Sequence, residues 1–134
     1  MKIIIAGAYA IGTYLAQFLS RNKYDIILID ELPENLEKIG QNYDLLTLEG
    51  KSTSINVLKQ AGAKHADLFI AVNPKETDNI TACTMLTTLV PKKQLQRLII
   101  LNIWSLKTKS FLNDWALIDL FILNYWRLKI LLMG

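Results

Sequence analysis

The residues with the clearest chemical potential are the segment Gly7-Ala8-Tyr9-Ala10-Ile11-Gly12, the acid Asp30, the pair Ser52-Thr53 and Asn73. Directly after the apolar run Ile3-Ile4-Ile5, a glycine-punctuated turn that opens a helix suits phosphate binding. The first glycine makes the tight turn, the middle one lets backbone approach a pyrophosphate, and the last lets helix pack on strand. Tyr9 stands where the middle glycine is expected. Either it holds a ligand's phosphates further off and weakens binding, or its ring turns outward and binding is tolerated. Asp30 lies 18 residues beyond Gly12, about where an acid takes ribose hydroxyls, and an acid there disfavours a 2′-phosphate. Plainer roles compete: close packing for Gly7 and Gly12, a strand-end acid for Asp30, helix capping for Ser52 and Thr53. His65 and Cys83 lack convergent partners, so neither a metal site nor a nucleophile is expected. The chain's single cysteine excludes a disulfide framework.

The elements that must position these residues follow in order. Ile11, Leu15, Phe18 and Leu19 recur at helical spacing, and Asn22-Lys23 closes that helix. Tyr24 to Ile29 reads as a strand buried on both faces, ending at Asp30. Pro33 opens a short helix that turns Leu36 and Ile39 inward and ends at Gly40. Asp44 to Leu48 is a third strand, and Ser54 caps a helix bearing Ile55, Leu58 and Ala61, stopped by Gly62. Asp67 to Val72 is a fourth strand, and Asn73-Pro74-Lys75-Glu76 starts a helix running to about Leu89. Four strand–helix alternations of this length predict a Rossmann-like, doubly wound parallel α/β sheet with a ligand site at the C-terminal ends of its strands. Those ends carry Gly7 to Gly12, Asp30, Gly50 to Thr53 and Asn73.

At 134 residues the chain is one domain, short of a two-halved fold with six strands. Its net charge of +3 is unevenly placed. Residues 1–89 hold 8 Lys/Arg against 10 Asp/Glu, whereas residues 90–134 hold 7 against 2. Trp104, Trp115 and Trp126 all fall in the second part, so a boundary is set near residue 90. In that part Leu95 to Leu101 is suited to a fifth strand and Phe111 to Met133 to apolar helices. Asp114, Asp119, Arg127 and Lys129 interrupt the latter, so no membrane span is expected. The basic excess of this segment is no argument for nucleic-acid binding. With no signal-like opening and no cysteine pair, a cytoplasmic location is expected.

Residues 1–89 resemble the N-terminal nucleotide-binding domain of the TrkA family, also called the regulator of potassium conductance domain. The resemblance is carried by Lys2 to Ala8, Asp30-Glu31, Asp44 to Thr47, Ala66 to Val72 and Asn79 to Cys83. It implies NAD(H) or ATP as ligand, ring-like self-association, a potassium-translocating membrane subunit as partner at the inner face of the plasma membrane, and no catalysis. The cofactor-binding residues it implies are Gly7, Ala8, Tyr9, Ala10, Ile11, Gly12, Asp30, Glu31, Ser52, Thr53, Asn73 and Glu76. An alternative is a fragment of an NAD-dependent dehydrogenase, which needs a proton-transfer residue that the sequence does not display.

The resemblance stops after Leu89. A one-base slip near that codon lets Val90 to Gln96 be reread as Gly-Ala-Lys-Lys-Thr-Val-Ala, and family-like text can be recovered further on. Residues 90–134 are therefore expected to be an out-of-frame continuation of the domain, against the alternative of a genuine apolar tail.

Overall fold

The computed structural model describes residues 1–39 and 43–102. Five strands, Lys2–Ala6 (β1), Asp25–Asp30 (β2), Leu46–Glu49 (β3), Leu68–Ala71 (β4) and Ile99–Asn102 (β5), form one sheet in the order β3-β2-β1-β4-β5. Every pairing is parallel: Ile4 lies opposite both Ile27 and Phe69, and Phe69 opposite Ile100. The helices are Ala10–Ser20 (α1), Pro33–Glu37 (α2), Ile55–Gln60 (α3), Glu76–Leu89 (α4) and Lys92–Leu95 (α5). This is the Rossmann-like, doubly wound sheet that the alternation of apolar runs predicts.

The apolar runs are continuous because both faces are covered. On β1, Ile3 and Ile5 join Leu15, Leu19 and Leu36 on the side of α1 and α2. Ile4 and Ala6 join Leu58, Ala82 and Leu86 on the side of α3 and α4. Ile3, Ile4 and Ile5 are fully buried, and each such side chain stabilises the fold by roughly 1.5–3 kcal/mol. The predicted helix faces agree: Leu15 and Leu19 are buried, with Ile11 and Phe18 half-buried against the same core. Lys23, with φ 60°, reverses the chain after α1. The Ser54 hydroxyl accepts the Val57 N–H at 3.5 Å as the expected cap of α3, and Gly62 follows in the left-handed region with φ 78°.

Several boundaries differ from the sequence reading: β2 starts at Asp25 rather than Tyr24, and β4 is Leu68–Ala71 rather than Asp67 to Val72. β3 is the shorter Leu46–Glu49, because pairing with β2 begins only at Ile27 opposite Leu46. The apolar run after residue 90 divides: Leu95 ends α5, and the strand starts at Ile99. The Gln94 side chain donates to the Ala66 carbonyl and the Ile99 N–H donates to the Asp67 carbonyl, which sets β5 beside β4. Gly40 and the segment Phe111 to Met133 lie outside the described residues. No helix among the described residues is long and apolar enough to cross a membrane.

Candidate functional site

The order of the sheet reverses between β1 and β4, and the crevice of such a sheet opens there, beyond the C-terminal ends of the strands. Gly7 follows β1 with φ 120°, and its N–H donates to the Ile29 carbonyl at 2.8 Å. A Cβ on Gly7 would lie 2.9 Å from the Asn73 nitrogen and the Val72 carbonyl, so the loop passes tightly over the end of β4. A Cβ on Gly12 would collide with the Gly7 carbonyl oxygen. Both glycines are thus required by backbone packing alone. Tyr9 has ordinary extended backbone at φ −91° and ψ −163°, so a side chain there causes no strain.

Asp30 ends β2 and is 4% exposed. One of its carboxylate oxygens accepts the Ala8 N–H at 2.8 Å; the other accepts the Leu32 N–H at 2.8 Å and the Asn35 side-chain amide at 3.2 Å. A carboxylate offers about four acceptor positions, so most of this one is engaged in joining the glycine loop to the β2–α2 turn. Neighbouring Glu31 is exposed.

A second polar cluster links the ends of β3 and β4. The buried Ser52 hydroxyl accepts from the Asn73 side-chain amide at 3.0 Å. Asn79, on α4 and fully buried, accepts the Asn73 backbone N–H at 2.8 Å and donates to the Asn73 carbonyl at 3.0 Å. The two loops facing the crevice are therefore tied together and to the helix behind them.

Between these clusters lies a cavity of about 370 Å³ lined by Tyr9, Asp30, Glu31, Gly50, Lys51, Ser52, Thr53, Asn73, Pro74, Lys75 and Asp78. This size falls within the range of small-molecule sites. Of the residues singled out from sequence, Tyr9, Asp30, Glu31, Ser52, Thr53 and Asn73 come together on its wall. Gly7, Ala8, Ala10, Ile11 and Gly12 form the adjoining loop and first turn of α1 and are not on the wall. Glu76 is the exposed first residue of α4 and is also off it.

Lys51, Lys75 and Asp78 line the cavity without having been assigned a role from sequence. Lys51 stands inside the strand-end segment Gly50 to Thr53 and Lys75 in the run Asn73 to Glu76 that starts the helix after β4, and those positions were their signal. Asn79 was legible too, as a polar residue spaced with the buried Ala82 and Leu86 along one stripe of α4. Elsewhere, His65 is exposed on a 3-10 turn. Cys83 is half-buried against the α3–α4 side of the core, and desolvation pushes its thiol up from 9.0. No His/Cys/Asp/Glu cluster suited to a metal ion occurs among the described residues.

The family model of the TrkA-N domain matches residues 3–122. The Trk system potassium uptake protein TrkA of Haemophilus influenzae is 42% identical over 85 residues, covering 63% of this chain and 19% of that protein. A TrkA homolog from Pyrococcus abyssi is 37% identical over 92 residues, covering 69% of this chain and 40% of that protein. The chain thus spans well under half the length of these relatives. Among solved structures, the Shewanella denitrificans Kef CTD in AMP-bound form superposes with a TM-score of 0.60 at 21% identity, over 76% of this chain and 58% of that one. The NAD(P)-binding domain of an exopolyphosphatase-related protein from Archaeoglobus fulgidus gives 0.60 at 15% identity, over 86% and 96%. At these identities the structural likenesses show the fold.

Proposed function

This chain belongs to the TrkA-N domain family, and from that membership we propose that it is the nucleotide-sensing portion of a regulatory subunit of a potassium uptake system. It binds NAD(H) or ATP and performs no catalysis. The observation that carries the reading is the cavity at the strand ends, where carboxylates suited to ribose hydroxyls and two lysines suited to phosphates share one wall. The names of the relatives, which are potassium uptake proteins, support the physiological setting. Gly7, Ala8, Ala10, Ile11, Gly12 and Glu76 belong to this reading as the loop and helix start beside the cavity. Glu31 is the freer carboxylate for ribose, since Asp30 already accepts three hydrogen bonds.

Regulation requires that the nucleotide bind two states of an assembly with different affinity. The partner is a potassium-translocating membrane subunit, with this domain at the cytoplasmic face and assembled with further copies. Residues 1–89 hold the nucleotide-binding loops, and residues 90–134 continue the domain out of frame, with Ile99–Asn102 as the edge strand of the same sheet. The change in charge at residue 90 and the codon compatibility support that division.

Calorimetric titration with ATP, ADP and NADH tests the central point. Binding that weakens at least about tenfold in Lys51→Ala or Lys75→Ala, a loss near 1.4 kcal/mol, is the expected result. No heat with any of the nucleotides overturns the reading, and hydride transfer from NADH would favour a dehydrogenase fragment instead.

A further inference from the structure

We propose that Tyr9 restricts the cavity to nucleotides with a single sugar, such as ADP or ATP, and turns away a dinucleotide such as NADH. The proposal rests on the nucleotide-binding reading above and narrows it. In a sheet of this kind a dinucleotide passes its pyrophosphate across the glycine loop, against bare backbone at the loop's second glycine. Here that position is Tyr9, the N-cap residue of α1. Its side chain makes no capping hydrogen bond, is 39% exposed and stands on the cavity wall. Of the six residues from Gly7 to Gly12 it alone reaches that wall. The cavity wall therefore includes a tyrosine at the loop position where a dinucleotide's pyrophosphate would cross to its second half.

Lys51 and Lys75 come from two other loops and lie within the same cavity. Phosphates can be neutralised there without approaching the glycine loop. Binding of an adenosine phosphate and exclusion of a dinucleotide then follow from one arrangement: two lysines on the cavity wall, and a tyrosine at the loop position beside it.

Titration calorimetry of the full chain and of Tyr9→Gly with ADP and NADH tests the proposal. Glycine is well accepted at an N-cap position and no capping bond is lost; matching circular dichroism melts verify that the variant folds. The wild-type chain should bind ADP at least about tenfold more tightly than NADH, and Tyr9→Gly should close most of that gap by raising NADH affinity. Equal wild-type affinity for the two ligands, or an unchanged ratio in Tyr9→Gly, overturns the role of Tyr9 while leaving nucleotide binding intact. Absence of binding by either ligand overturns the nucleotide reading and this proposal together.

Discussion

Asp30 illustrates how one side chain holds a site together before any ligand arrives. Its carboxylate gathers the Ala8 N–H, the Leu32 N–H and the Asn35 amide in a nearly water-free position. Asp30→Ala leaves the buried Ala8 donor without its acceptor, which costs about 1–3 kcal/mol or more because the lost partner is charged. Urea unfolding of the variant should show that loss as a lower midpoint with an unchanged slope. If nucleotide affinity falls without any loss of stability, Asp30 acts on ligand and not on the loop. Cys83 offers a second check at this scale. Burial favours its neutral form, so alkylation at pH 8 should run more slowly than for a free thiol and recover on unfolding in urea. The sign for stability follows: because the folded thiol ionises above the ordinary 9.0, its contribution is constant below that pH. It declines as pH rises from there through the folded value.

At the scale of elements, the crevice depends on how closely α1 and α4 approach the sheet. Gly12 lies against the Gly7 carbonyl, with the Val72 side chain 3.2 Å from where a Cβ would stand. Gly12→Ala must push α1 off the strand ends, and overpacking of this kind costs about 1–3 kcal/mol. A melting temperature equal to wild type would show that α1 shifts without penalty. On the other side, Asn79 satisfies both the N–H and the carbonyl of Asn73 through one side chain. Asn79→Ala should destabilise the chain by about 1–3 kcal/mol for the orphaned groups and loosen Asn73 from Ser52. Asn79→Asp keeps the acceptor and loses the donor, so it should retain part of the stability. The same elements show what was legible from the chain. The alternation of strands and helices and the helix faces followed from apolar spacing, whereas the strand order β3-β2-β1-β4-β5 came from the structure. So did the Asn79–Asn73–Ser52 connection, because it joins residues 52 and 73, which only the parallel pairing of the strands brings together.

At the scale of the whole molecule, the sheet is completed by residues on the far side of the change in composition at residue 90. Leu98 and Leu101 are buried and β5 pairs along β4 from Leu68 opposite Ile99 to Ala71 opposite Asn102. A place beside a buried strand mainly demands apolar side chains with extended backbone, and Leu98-Ile99-Ile100-Leu101 meets that demand whatever codons produced it. The proposal that residues 90–134 continue the domain out of frame makes a direct prediction. The gene read one base away beyond the Leu89 codon should encode family-like text; a stop codon or unrelated text there defeats it. Restoring that frame should also raise soluble yield, because the present 103–134 segment is rich in large apolar residues.

The sequence by itself determined the class of fold and the places where a ligand could sit. Alternating apolar runs specify buried parallel strands, and parallel strands put their following loops at one end of the sheet. It also singled out six of the residues that line the cavity. Only the tertiary structure decided what those residues do there. Gly7 and Gly12 turned out to be required by backbone contact. Asp30 is largely engaged with its own chain, Lys51 and Lys75 joined the wall, and Tyr9 stood on it. Periodicity reports which face of an element is buried, whereas hydrogen-bond partners and cavity walls arise from residues distant in sequence. Those distances are set only when the sheet closes.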